Sequence, residues 1–135
     1  MAETFETDRP LVLIVEVHDI LRAALRAWIE IAVPAVSVIE ADCIEGALAI
    51  LSGKGVNLVL MDIRLRDVHV FEDIRAFHRV APAAAIVMLY TMLHDTTVAD
   101  ASRAAGPFGL VSAHHLSLHL LSVFRILLSR VVCVC

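Results

Sequence analysis

The sequence predicts an α/β fold with a doubly wound, five-stranded parallel sheet, and three observations carry that reading. Short apolar runs alternate with longer segments of helical periodicity along the chain. Two of the runs, Leu11-Val12-Leu13-Ile14-Val15 and Leu58-Val59-Leu60-Met61, are continuously apolar, the pattern of strands covered on both faces. Each of the two stops on an acid, Glu16 and Asp62. In an open parallel sheet the ligand crevice lies beyond the carboxyl ends of the strands.

The elements follow in order. Residues 1–9 are polar and read as a disordered tail, and the first strand takes 11–16. A helix over about 19–32 places Leu21, Ala24, Leu25, Trp28 and Ile29 at helical spacing. Strand 36–40, helix 43–53 and strand 57–61 come next, then helix 70–80 and strand 85–90. Helix 95–105, strand 108–112 and helix 116–131 complete five strand-helix units, and 132–135 form a short tail. Crossovers of this length imply right-handed connections and one parallel sheet with helices on both faces. At 135 residues the chain makes one domain, spanning 10–131.

Composition bounds the partners. The chain is 59 % hydrophobic and 19 % charged with a net charge of −4, and its mean hydropathy is +0.81. Such an apolar composition predicts an interface. The last helix carries Leu116, Leu118, Leu120, Leu121, Val123, Phe124, Ile126, Leu127 and Leu128, more than one core-facing stripe, so a homodimer through the last helices is expected. Scattered basic residues and the acidic balance argue against direct nucleic-acid binding. No apolar run reaches the roughly 18 residues of a membrane span, and the polar N-terminus is unlike a signal peptide, so a cytoplasmic protein is expected. Cys43 reads as structural at the start of the second helix, and Cys133 and Cys135 as a frayed tail rather than a metal site.

If the first and third strands are neighbours, Glu16 and Asp62 meet at one sheet edge. The alternative is that each acid caps the loop or helix that follows it. Asp19 has the same two readings: N-cap of the first helix first, metal ligand second.

The strings PLVLIVEVHDILRAAL, VNLVLMDIRLRDVHVF, AAIVMLYT and AAGPFGLVS resemble the receiver domain of two-component response regulators, in order and spacing over roughly residues 10–130. His18 and Arg22 are similar to the corresponding residues of receivers that carry a helix-turn-helix output domain. The resemblance implies strand order 2-1-3-4-5 and phosphoryl transfer from a histidine kinase or phosphotransfer protein, which docks on the first helix, to Asp62. It also implies Mg2+, held by acids at the end of the first strand, by Asp62 and by the backbone carbonyl of Arg64. Phosphoryl transfer to a carboxylate brings two anions together, so such a site works by positioning and charge neutralisation.

The same resemblance exposes departures. Of the two acids expected after the first strand, Glu16 is present and Val17 is not one. The family's short hydroxyl residue falls on Tyr90, its fifth-strand aromatic on Leu110, and its lysine on Ala113. A tyrosine at position 90 is bulky enough to hold one state of the family's switch permanently. His114 and His115 are weak substitutes for the missing lysine. Arg66 and Val70 stand where the family usually has proline and glycine. One unit-charge pair at 4 Å is worth roughly 4 kcal/mol at an effective dielectric of about 20, so these losses predict an atypical receiver. The competing expectation is a phosphorylation-independent pseudo-receiver acting as an interaction module. A small hydrolase is disfavoured, since Arg64 stands two residues after Asp62 where a second acid is needed.

Overall fold

The computed structural model describes residues 9–62, 70–90 and 109–112, with backbone alone at 62, 70, 71, 89, 90 and 109–112. The expected helices at 95–105 and 116–131, residues 1–8 of the N-terminal tail, the C-terminal tail, Arg64, Ala113, Cys133 and Cys135 lie outside the described residues, while Arg9, expected in the disordered tail, is described and donates to the Pro34 carbonyl at 2.9 Å.

Four strands form a parallel sheet in the order β2-β1-β3-β4: β1 (Leu11–Val15), β2 (Ser37–Ala41), β3 (Leu58–Asp62) and β4 (Ala85–Tyr90). Beyond β4, the backbone of Gly109–Ser112 runs parallel to it, with Val87 opposite Gly109 and Tyr90 opposite Ser112. Three helices intervene: α1 (Asp19–Ala32), α2 (Ile44–Gly53) and α3 (Val70–Val80). Their bounds match the periodicity closely. The second strand begins one residue later than expected, at Ser37, because its first ladder bond is Ser37 N–H to the Pro10 carbonyl at 2.8 Å.

Alternation in the strands divides the core into two layers. Val12, Ile14, Leu58, Leu60 and Val87 pack with Leu25 and Ile29 of α1, with Trp28 partly buried against them. Leu13, Val15, Val59, Met61, Ile86 and Met88 pack with Ala47 and Leu51 of α2 and with Ile74 and Phe77 of α3. Every central strand is therefore covered on both faces, which is why β1 and β3 read as unbroken apolar runs. The core reading of Trp28 agrees with this packing.

The helix ends show how local chemistry sets boundaries. Cys43 is the N-cap of α2, its Sγ accepting the Gly46 N–H at 3.3 Å. At the end of α1 the Val33 N–H returns to the Ile29 carbonyl at 2.8 Å, and Pro34 cannot continue the helix. α3 carries Glu72 and Asp73 in its first turn and His78 and Arg79 in its last, matching the helix dipole at both ends. One expectation is corrected: Asp19 is not the N-cap of α1. His18 holds that position in extended backbone without a side-chain cap bond, and Asp19 is the first helical residue.

The end of the sheet away from the strand-end acids is tied by Asn57. Its Oδ1 accepts the Leu11 N–H at 2.8 Å, while its own N–H reaches the Leu11 carbonyl and its carbonyl accepts from Ala85, both at 2.9 Å. One residue thus aligns the starts of β1, β3 and β4, and the register runs unbroken from there to the opposite edge.

Candidate functional site at the carboxyl edge of the sheet

Register decides what meets at the far edge. β1 and β3 pair with Val15 opposite Met61, so the residues one step further, Glu16 and Asp62, follow adjacent strand ends. β3 pairs with β4 so that Asp62 lies opposite Leu89, and Tyr90 is the next residue and the last of β4. Leu110 lies in the Gly109–Ser112 segment, opposite Met88. The topology therefore brings the backbone positions of Glu16, Asp62 and Tyr90 to one edge. The expectation that β1 and β3 are neighbours is met.

Glu16 is the one buried charged residue among the described residues, 4 % exposed. Burying a carboxylate is costly unless hydrogen bonds replace its water. Here the His18 N–H donates to Glu16 Oε1 at 3.2 Å, and His18 Nδ1 lies 3.0 Å from the same oxygen. The Glu16 N–H donates to the Ala41 carbonyl at 3.1 Å, which holds this residue against the end of β2. Val17 is 64 % exposed and offers no oxygen ligand from its side chain.

An arginine grips the turn between β1 and α1. Arg22 Nη1 donates to the Glu16 carbonyl at 2.9 Å, Nη2 to Asp19 Oδ1 at 2.7 Å, and Nε lies 3.3 Å from Glu40 Oε1. Arg26 continues the chain of charges, with Nη1 to Glu40 Oε2 at 2.6 Å and Nε to Glu30 Oε1 at 2.9 Å. The Asp19 hydrogen bond is the main reason the Arg22 guanidinium is held above its ordinary pKa, with the charges of Glu40 and Asp42 adding to it. For Arg26 the hydrogen bonds to Glu30 and then Glu40 act the same way. Asp19, reserved as a possible ion ligand, is the ion-pair partner of Arg22 at 2.7 Å.

His18 and Arg22 therefore matter for reasons that sequence reasoning missed. His18 follows Glu16 by two across the turn, close enough for its backbone N–H and its ring both to reach the same carboxylate oxygen; that spacing was the available signal. Arg22 acts through a backbone carbonyl and through Glu40 on another strand, which no local pattern reveals. Replacing Arg22 by alanine releases the turn: amide exchange at Val17 and His18 is expected to rise well above that of the β1 amides. Unchanged exchange there would show that the turn holds its shape without the guanidinium.

The family model for the response regulator receiver domain matches residues 12–113, an interval that contains both strand-end acids and nearly all of the described sheet. The chain belongs to the response regulator receiver family. Solved structures agree in fold. A response regulator from Thermotoga maritima superposes with a TM-score of 0.72 at 20 % identity, covering 89 % of this chain and 98 % of its own. A CheY-like receiver domain protein from Methanospirillum hungatei JF-1 gives 0.75 at 20 %, covering 90 % and 95 %. A LuxR family DNA-binding response regulator from Silicibacter pomeroyi gives 0.72 at 23 %, covering 89 % and 92 %. No curated protein matches by sequence. Receivers are modules of two-component signalling, and no described helix here is long and apolar enough to cross a membrane.

A receiver ordinarily uses Mg2+, which demands oxygen ligands in near-octahedral geometry and keeps several waters. The buried Glu16 carboxylate and Asp62, one residue past the paired Val15 and Met61, are donors of the right kind at adjacent strand ends. Val17 contributes none, and among the described residues no three His, Cys, Asp or Glu side chains gather into a metal-binding group. Glu16 and Asp62 bring two carboxylates of the kind such an ion takes, a thinner set than two acids plus the acceptor.

Proposed function

We propose that this receiver accepts a phosphoryl group on Asp62 from a histidine kinase or phosphotransfer protein, with an atypical site in which Glu16 is the one remaining acid of the first strand. The observation that carries the reading is the β1–β3 register, which follows Val15 and Met61 with Glu16 and Asp62 on adjacent strands. Mg2+ held by Glu16, Asp62 and the Arg64 carbonyl supplies neutralisation of the charge that builds up as two anions approach. The chain's own residues do the rest. Glu16 is fixed by His18, Arg22 fixes the turn, and the sheet holds Asp62 at the edge where a donor can approach in line.

The finer assignments belong to the same proposal. The domain spans 10–131 and is cytoplasmic, with Gly109–Ser112 as the fifth strand of the order 2-1-3-4-5. Tyr90 and Leu110 stand at the switch positions, and Ala113 leaves the lysine position without a cation. The kinase or phosphotransfer partner docks on α1, the last helices form a homodimer, and nucleic acid is not contacted directly.

Intact-mass spectrometry after incubation with a small-molecule phosphodonor tests the central step: one phosphoryl group gained with Mg2+ is the expected result. No adduct on folded protein would sink it. The second reading, a phosphorylation-independent interaction module, is favoured by one observation, the exposed Val17 in place of an acid. A substitution separates the two. Val17→Asp restores a carboxylate at an exposed position and is expected to raise Mg2+ affinity about tenfold or more, since one added charge beside a divalent ion exceeds the ~1.4 kcal/mol that a factor of ten requires. Unchanged affinity, measured by calorimetry, would mean that no ion site exists to be repaired.

A further inference from the structure

We propose that the solvent face of α1 pairs, antiparallel and about a two-fold axis, with the same face of a second copy of this chain. Four side chains mark the face. Ile20 is 87 % exposed and Ile31 83 % exposed, the two most exposed large apolar residues among those described, and Ala24 and Ala27 between them are exposed as well. Spacings of four, three and four residues put all four on one stripe of the helix. Their order, isoleucine, alanine, alanine, isoleucine, is the same read from either end.

The stripe carries no charge, because the charges of α1 lie on the flank toward β2 and are paired there. Arg22 meets Asp19 at 2.7 Å and Glu40 at 3.3 Å, and Arg26 meets Glu30 at 2.9 Å and Glu40 at 2.6 Å. Every ionised side chain of the helix thus has a partner within the chain. On the opposite flank Leu21, 38 % exposed, and Trp28, partly buried against the sheet, continue the apolar surface.

Symmetry selects the occupant. An isologous interface needs a surface complementary to itself. With the second helix running the opposite way, Ile20 of one copy meets Ile31 of the other, Ala24 meets Ala27, and the helix dipoles oppose each other. The small residues at the centre let the two axes approach to about 8 Å, and the isoleucines close both ends. A partner of different sequence has no need of a stripe that matches its own reversal.

Size sets the strength. The stripe from 20 to 31 is about 17 Å long and one helix wide, smaller than the about 800 Å² per partner of stable complexes requires. Self-pairing is therefore weak and reversible. One consequence rests on the proposed function: α1 is also where the phosphodonor protein docks, so a self-paired chain is closed to that donor while a small-molecule phosphodonor still reaches the sheet edge.

Sedimentation equilibrium of the full chain over a range of concentrations, with methyl NMR of Ile20 and Ile31 on the same samples, tests the pairing. Wild type is expected to associate reversibly, and both isoleucine signals to shift as it does. Ala24→Glu, at an exposed position where glutamate is a good helix former, should weaken association at least about tenfold, because each pair would cover two carboxylates without partners. Adding Ala27→Lys to that variant should restore association, since the carboxylate introduced at 24 then faces the ammonium introduced at 27 of the other copy. A wild type that stays monomeric, isoleucine signals that stay fixed while the chain associates, or a double variant no tighter than Ala24→Glu overturns the inference. Phosphorylation is scored separately by intact mass with a small-molecule phosphodonor. Self-pairing through α1 without an adduct keeps this inference and loses the phosphoacceptor reading. An adduct with equal association in wild type and Ala24→Glu does the reverse.

Discussion

Asp62→Asn is expected to abolish phosphorylation altogether while leaving the fold intact. The acceptor must be a carboxylate oxygen, because only a carboxylate attacks phosphorus and forms the acyl phosphate. An amide of the same shape cannot. The substituted residue would occupy the last position of β3, where its backbone keeps the parallel pairing with Leu89, so circular dichroism and the melting temperature should move little. The expected readout is a complete loss of the phosphoryl mass increment. A mutant that still gained the increment would place the acceptor elsewhere, and the assignment of Asp62 would fail.

The second large effect is on stability. Phe77 is 1 % exposed and lies in the layer formed by α2, α3 and one face of β1, β3 and β4. Truncation to alanine removes a ring from a close-packed core and leaves a cavity that the sheet cannot collapse to fill, at a cost of about 3–5 kcal/mol. A loss of that size corresponds to a fall in Tm of about 10 °C or more for a domain of this length. Because α3 is the helix that follows β3, the variant should also lose phosphorylation on warming before wild type does. Chemical denaturation giving a loss below about 1 kcal/mol would mean that Phe77 is packed far more loosely than its burial implies.

Most of the described fold was legible in the residues because its signals are local. The helix over 19–32 was recoverable from the spacing of Leu25, Trp28 and Ile29, all of which face the layer under α1. The unbroken apolar runs of β1 and β3 declared strands covered on both faces. What was illegible depends on contacts between distant residues. The start of β2 is set by a bond from Ser37 to Pro10, which no local pattern contains.

The candidate site divides the same way. Glu16 and Asp62 were visible as acids ending strands; that β1 and β3 are neighbours was implied only by the family resemblance, and their register comes from the structure. The cap reading of Asp19 rested on the preference for Asp at that position. Its carboxylate is instead drawn to Arg22 at 2.7 Å, and His18 takes the cap position. Arg22 reaches Glu40 across 18 positions of sequence, a contact created by the packing of α1 beside β2. Tyr90, Leu110 and Ala113 remain assignments by resemblance, with Ala113 outside the described residues.

The measurement that bears most directly on the central claim is reductive mapping of the phosphorylated chain. Borohydride converts an aspartyl phosphate to homoserine, and peptide sequencing by mass spectrometry locates it. Homoserine at position 62, dependent on a divalent ion and absent without phosphodonor, is the predicted result. Homoserine at another acid, or none in protein that is folded and exposed to phosphodonor, would contradict the account.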